Sequence, residues 1–239
     1  MKEQASRSAI ALGAFLFLGL SVLGYLISDA AINIKSLERT VTVKGLAERE
    51  MAADIAIWPI SSQIASNELE EFYKLIQNNN KTIIEYLGKY KITQSDITIT
   101  PPSVVDLHAQ NYGNKENIKF RYTGISTITV YSKHIENVRE AMSGVIELGK
   151  KGIVLTAQNY QNKTQFVYSG LSTIKPEMIE EATKNARSVA NKFASDSDSI
   201  LGKIKTAKQG QFTIKDRDAT TPHIKKIRVV STIQYYLSD

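Results

Sequence analysis

Three histidines, His108, His134 and His223, are the side chains of this sequence best suited to hold a metal or move a proton near neutral pH. No two of them stand four residues apart on a helix, and no acidic cluster accompanies any of them. Their spacing therefore predicts surface or loop histidines rather than metal ligands. Asp196 and Asp198, in the run Ser195-Asp-Ser-Asp-Ser199, carry hard oxygens. The run lacks the remaining ligands and the glycine of a calcium loop, so it reads as a polar turn that ends a helix. Glu48, Arg49 and Glu50 alternate in sign with no nucleophile identifiable nearby, which suits a solvated hairpin turn better than an acid–base pair. The chain has no Cys, which excludes a thiol nucleophile, a disulfide and a zinc–thiolate site together. No phosphate-binding loop, dinucleotide fingerprint or nucleophile elbow occurs. The sequence thus predicts no catalytic residue, no cofactor and no metal site, and the expected role is not that of an enzyme.

The elements around these residues follow from hydrophobic period. Thr40-Val-Thr-Val-Lys44 alternates as a strand and is expected to end at Gly45. Met51–Ser66 reads as a long strand with Ile55 and Ile57 in phase. After Pro59 the apolar set moves to Ile60 and Ile64, and a proline at a phase flip suggests a bulge or an edge. Trp58 beside it, the only tryptophan, is expected as a packing anchor. A helix is predicted over Glu68–Tyr90, capped by Asn67 with Glu70 at capping-box distance. Its stripe is Leu69, Phe72, Ile76, Ile83, Leu87 and Tyr90, interrupted by Asn80. Asp96–Thr100 reads as a strand stopped by Pro101-Pro102, residues 106–118 as a polar loop, and Lys119–Tyr131 as the next strand.

A second helix is predicted over His134–Leu148, ended by Gly149-Lys-Lys-Gly152, and a strand region over Ile153–Leu171. A third helix over Pro176–Ser195 has Pro176 at its first position and an apolar stripe of Ile179, Ala182, Ala186, Val189 and Phe193. Its small residues would let it approach a sheet closely. Strands over Ile200–Ile214, broken near Gly210, and over Ile224–Leu237 close the chain. Phe120–Ile128 recurs as Phe166–Ile174 with six of nine positions identical. Either a duplicated strand–helix unit or two similar transitions would account for that, and the glycine in each copy suggests a bend or a close backbone contact. The order β-β-α-β-β-α-β-α-β-β, with mainly antiparallel strands and about three helices, predicts an α+β fold.

Before all of this stands Ser8–Ile27, twenty residues without a charge, long enough as a helix to span a bilayer of about 30 Å. The expected layout is a cytoplasmic tail over 1–7, a transmembrane signal anchor over 8–27, a linker over 28–39 and one exported domain over 40–239. Ser28-Asp29-Ala30 also has the small residues of a cleavage site before Ala31, so cleavage after Ala30 stays open. Lys2 and Arg7 on one side are matched by Lys35 and Arg39 on the other, so flanking charge does not orient the helix. The formal net charge is +6 and the excess lies beyond the apolar segment. That favours anionic surfaces, and no nucleic-acid module pattern surrounds the short basic runs Lys150-Lys151, Lys203/Lys205/Lys208 and Lys225-Lys226-Arg228.

Two stretches resemble one family. Thr40-Val-Thr-Val-Lys-Gly-Leu-Ala-Glu-Arg-Glu50 followed by Ala53–Trp58 resembles the opening of the bacterial SIMPL-domain proteins, relatives of the periplasmic immunogenic proteins. Glu181–Ala194 with Leu201-Gly-Lys203 resembles the same family's alanine-rich helix and the strand it feeds. The resemblance covers about residues 40–237. It implies an extracytoplasmic domain of a bacterial envelope, tethered or secreted, and homo-oligomers that can be ring- or barrel-like; with the long apolar span retained, the expected place is the outer face of the inner membrane. It also implies a link to envelope or oxidative-stress tolerance, and brings no catalytic residues with it. Expected partners are the membrane through Ser8 to Ile27, other copies of the chain, and envelope proteins or anionic surfaces, with no nucleic acid. A small-molecule or lipid-binding module is the alternative.

Overall fold

A computed structural model describes residues 2–36, 39–109, 119–156 and 162–238, apart from the side chains of 2–12 and 33–36. The elements are α1 (Lys2–Ser36), β1 (Thr40–Ala52), β2 (Ile55–Ser66), α2 (Leu69–Lys89), a 3-10 turn (Gln94–Asp96), β3 (Ile97–Asp106), β4 (Tyr122–Ser132), α3 (Ile135–Ser143), α4 (Ile146–Lys150), β5 (Val154–Leu155), β6 (Gln165–Val167), α5 (Leu171–Asp196), β7 (Ile200–Gln209), β8 (Thr213–Asp216) and β9 (Ile224–Ser238). This is the expected α+β fold with antiparallel pairing and an apolar N-terminal helix. The helix expected over His134–Leu148 is divided at Gly144, where a Cβ would lie 2.2 Å from the Tyr90 hydroxyl. The polar loop expected over 106–118 and part of the strand region 153–171 fall outside the described residues.

The apolar window of α1 is Gly13–Ile32, and none of it is buried against the rest of the chain. Ser21 donates its hydroxyl to the Phe17 carbonyl at 2.8 Å, so its one polar side-chain group is satisfied within the helix. The helix runs on through 28–36, where a linker was expected.

Two compact units make up the chain. One comprises Met1–Glu48, Pro176–Phe212 and Arg228–Asp239, and the other Arg49–Lys175 and Thr213–Ile227. In the first, β9 lies between β1 and β7. Val43, Gly45 and Ala47 of β1 are buried, and β1 does not stop at Gly45. Glycine is required there because a Cβ would come within 1.8 Å of the Ala182 carbonyl oxygen and 2.4 Å of the Ala186 amide of α5. The helix meets the sheet through Ala182, Ala186, Ala190 and Ala194, all buried, with Ile233 and Tyr235 from β9. Val189 and Phe193, expected in the buried stripe, are exposed instead. The alanine row lets backbones approach closely, and the larger side chains are left on the flank. Pro176 lies inside α5, whose first residue is Leu171.

The second unit is built on large side chains. Its sheet runs β3-β4-β2-β5, with β6 also paired to β2. Ala56, Trp58, Ile60, Ser62, Ile64 and Ser66 of β2 are all buried, so one phase holds across Pro59. Ile55 and Ile57 belong to the half-buried opposite face; their β-branched shape suits a strand on either side. Pro59 sits where β2 has β4 on one edge and, between the β6 and β5 pairings, no strand among the described residues on the other, a place in a sheet where a missing N–H is tolerated. Trp58 packs with Ile83, Tyr86 and Leu87 of α2, Val138 and Ala141 of α3, and Ile128 and Val130 of β4. Phe72 and Ile76 close a second cluster against Ile64. Asn80, the polar break in the stripe, accepts a hydrogen bond from Ser126 at 3.0 Å.

Local details depart from expectation for clear reasons. The start of α2 is held by Ser66, whose hydroxyl accepts from the Glu68 amide and donates to Glu71. Asn67 instead accepts the Arg121 amide at 3.0 Å. Pro101-Pro102 does not end β3; the register shifts between Thr100 and Ser103, an edge-strand bulge around two residues that cannot donate. The two near-identical stretches adopt different structures. The first lies largely within β4, whereas the second leaves β6 after Val167 and turns helical at Leu171, so the like residues fall on unlike local structures. Gly124 in the first copy does mark a close contact, since a Cβ there would meet the Ser103 carbonyl at 2.0 Å.

Candidate functional site

The second unit holds a cleft of about 330 Å³ formed by three segments far apart in sequence. From α3 come Glu136, Arg139, Glu140 and Ser143, at i, i+3, i+4 and i+7, which puts all four on one helical face. Val138 and Ala141 on the other face are buried in the core and fix the helix. Met142 adds an apolar contact, Phe166 comes from β6, and Thr220, Pro222 and His223 come from the loop before β9.

That loop is rigidly tied. The Asp218 carboxylate accepts from the Thr220 amide at 2.8 Å, the Thr220 hydroxyl at 2.6 Å, the Thr221 amide at 2.7 Å and the Thr221 hydroxyl. Arg217 donates to Asp218 at 3.0 Å and reaches Glu50 at 3.5 Å. The two threonine hydroxyls and then the Arg217 guanidinium hold the Asp218 carboxyl well below the usual carboxylate range. The His223 carbonyl accepts the Ala53 amide at 2.8 Å, and its ring stands edge-on to Phe166 with centroids 6.1 Å apart. Burial, and then the positive charge of Arg139, lower the His223 pKa from its ordinary 6.5, so the imidazole is neutral at neutral pH.

Arg139 forms an ion pair with Glu136 at 2.8 Å, and Ser143 donates its hydroxyl to the Arg139 carbonyl at 3.0 Å. Ser143 is thus committed to the helix backbone rather than to His223. The cleft presents an aromatic and apolar floor of Phe166, Met142 and Pro222 under a rim of charged groups. Such a surface can bind an amphipathic small molecule.

Of the sequence candidates, only His223 enters the cleft. His108 lies in the turn after β3, its amide bonded to Asp106 at 2.9 Å. His134 precedes α3, its amide donating to Ser132 at 3.2 Å. Asp196 ends α5 and pairs with Lys192 at 2.7 Å, and Asp198 takes a left-handed φ of 51° in the turn that follows. Glu48, Arg49 and Glu50 lie within β1 rather than in a hairpin turn; at Ala53-Asp54 the chain passes from β1 in one sheet to β2 in the other. Among the described residues no group of three or more His, Asp or Glu stands where it could hold a metal. Of the basic runs, Lys225 is buried and bonded to Asp216, whereas Lys203, Lys205 and Lys208 are exposed on β7.

The model of a family described as SIMPL, a protein of unknown function (DUF541), matches residues 41–233. No curated protein matches the chain.

Proposed function

The chain belongs to the SIMPL family, and we propose that it is a membrane-anchored, extracytoplasmic interaction module of a bacterial envelope that self-associates and supports envelope or oxidative-stress tolerance through binding rather than catalysis. The observation that carries this reading is the α1 window Gly13–Ile32. It is uncharged but for Asp29, has a mean hydropathy of 1.9, and is nowhere buried by the described residues. A water-exposed surface of that kind needs an apolar surrounding, and the bilayer is one that fits its length. The helix runs unbroken through Ala30 and Ala31, which favours a retained anchor over a cleaved signal.

Interaction is supported by the outer face of the second unit's sheet. Val105, Ile125 and Tyr131 stand exposed there among Thr98, Thr100, Thr127 and Thr129. A broad, mildly apolar sheet face of this type suits another sheet, including that of a second copy. Membranes from cells making the full chain, washed with alkaline carbonate and treated with an amine-reactive crosslinker, test both parts. Retention in the membrane with a ladder of self-crosslinked species is expected. Release by carbonate contradicts the anchor, and a lone monomer band contradicts self-association.

The cleft favours a second reading, a small-molecule-binding module. Thermal unfolding of the full chain in detergent against a panel of amphipathic metabolites tests it. A stabilisation lost in His223→Ala and Phe166→Ala supports it, and no shift with any compound counts against it.

A further inference from the structure

The end of the first unit that the chain reaches on leaving α1 carries an unusual surface. The Leu237 amide donates to the Arg39 carbonyl at 2.9 Å, and Gln234 donates to the Thr40 hydroxyl at 2.9 Å. The Arg39 guanidinium donates to the Ser199 hydroxyl at 3.3 Å. Ile200 pairs with Ser238 and Leu201 with Leu237. The start of β1, the end of β9 and the start of β7 therefore lie together. The last turn of α5 joins them, because the Ser199 amide returns to the Ala194 carbonyl at 2.8 Å.

Phe193, Ile200 and Ile204 are 57%, 64% and 48% exposed; Ile200, opposite Ser238, and Ile204, opposite the buried Tyr235, stand on the two faces of the β7 edge strand. Lys203 and Lys205 lie between and beside the isoleucines, with Lys205 over the Tyr236 ring at 5.4 Å from its centroid. Among the described residues the nearby acids are Asp196, which is paired with Lys192, and Asp198 in the turn. Register shifts between Leu201 and Ile204 and between Ile204 and Thr206 bend β7 here. With its lysines, such an edge is poorly suited to pairing with another strand.

The tether decides what this surface faces. From Ile32 to Ser36 the chain is helical, and from Ser36 to Thr40 it spans four residues. At about 1.5 Å per helical residue and at most ~3.5 Å per extended one, Thr40 lies within roughly 20 Å of the end of the apolar window. The headgroup layer itself is about 5–7 Å deep, so Thr40 and its neighbours cannot be far from it.

We infer that this end of the first unit docks on the bilayer that holds α1. Lys203, Lys205 and Arg39 meet anionic phospholipid headgroups, while Phe193, Ile200 and Ile204 dip into the interface. The inference rests on the anchor reading of α1. Basic residues beside exposed aromatic and aliphatic groups are the composition that anionic interfaces bind. Docking would hold the domain in one orientation on the membrane instead of leaving it to swing on its tether.

The full chain tests this. Its lack of Cys allows Ile200→Cys to carry one environment-sensitive fluorophore, with Lys74→Cys on α2 as a control. The protein is reconstituted into vesicles of phosphatidylcholine with or without phosphatidylglycerol, and floated on a density gradient. Docking predicts co-flotation, with a blue-shifted label at position 200 quenched by a lipid-borne nitroxide in anionic vesicles and a solvent-like label at position 74. Added salt weakens the signal, and Lys203→Glu with Lys205→Glu lowers the docked fraction by about tenfold or more. Failure to float overturns the anchor and the docking with it. Flotation with a solvent-like label at position 200 overturns docking alone. A shift equal in neutral vesicles and dependent on protein density assigns the surface to a second copy and also overturns docking.

Discussion

The two units cover their sheets with helices in opposite ways. In the first, α5 lies against β1 through glycine and alanine, so backbone meets backbone at Gly45. In the second, α2 stands off β2 and β4 on Phe72, Ile83, Tyr86 and Leu87. Large side chains fill the space between layers and are hidden by doing so. Small ones bring the layers together and leave the large residues of the same helix outside. Phe193 and Val189 are exposed for this reason. A core built from small residues thus supplies an apolar surface, whereas one built from large residues consumes it.

The sharpest way to break this contrast is Gly45→Val. No rotamer can help, because the clash is between Cβ and the α5 backbone; loss of the cooperative transition or aggregation on expression is expected by circular dichroism. Phe72→Ala attacks the other packing mode. It leaves a cavity in a fully buried site and is expected to lower stability by about 3–5 kcal/mol while the fold persists, as read from denaturant midpoints. Ser231 sharpens the picture in the opposite direction. Its buried hydroxyl has no partner among the described residues, so Ser231→Ala is expected to be neutral or to stabilise by up to ~1 kcal/mol. Phe193→Ser on the flank of α5 should change stability by less than about 0.5 kcal/mol, where a core phenylalanine would cost several. A large loss there would show that the helix is turned differently.

The cleft adds a pH term of definite sign. His223 has a folded pKa below its unfolded value of about 6.5, so the unfolded chain takes up its proton first on acidification. Its contribution to stability is complete above the unfolded value and is lost as pH falls through 6.5 toward the folded midpoint. Proton NMR of the His223 ring should titrate below 6.5, and His223→Gln should flatten the stability profile in that window. A ring midpoint at or above 6.5 would show that the imidazole is not buried against Phe166 as described.

The sequence made the element types legible because periodicity and capping act locally. It made the apolar N-terminal helix legible because a run of twenty uncharged residues is itself a local signal. Which face is buried was harder. In β2, Ile55 and Ile57 share their β-branched shape with the true core residues, and only the helices on the inner face distinguish the two sets. In α5 the deciding residue, Gly45, lies more than a hundred positions away on another strand. Ser66 takes the place of Asn67 at the start of α2 because the Arg121 amide engages Asn67, and the bulge at Pro101-Pro102 depends on β4 across the sheet. The cleft was illegible for the same reason: α3, β6 and the 217–223 loop come together only in the folded unit. The polar i, i+3, i+4, i+7 row of Glu136, Arg139, Glu140 and Ser143 was its one local trace.

The central claim is that α1 is a retained anchor with the domain outside the cytoplasm. A chain without Cys is well suited to decide it. In intact cells carrying Lys74→Cys, a membrane-impermeant maleimide should label the full-length chain in the membrane fraction without permeabilisation. Labelling that appears only after the inner membrane is broken would place the domain in the cytoplasm and contradict the account.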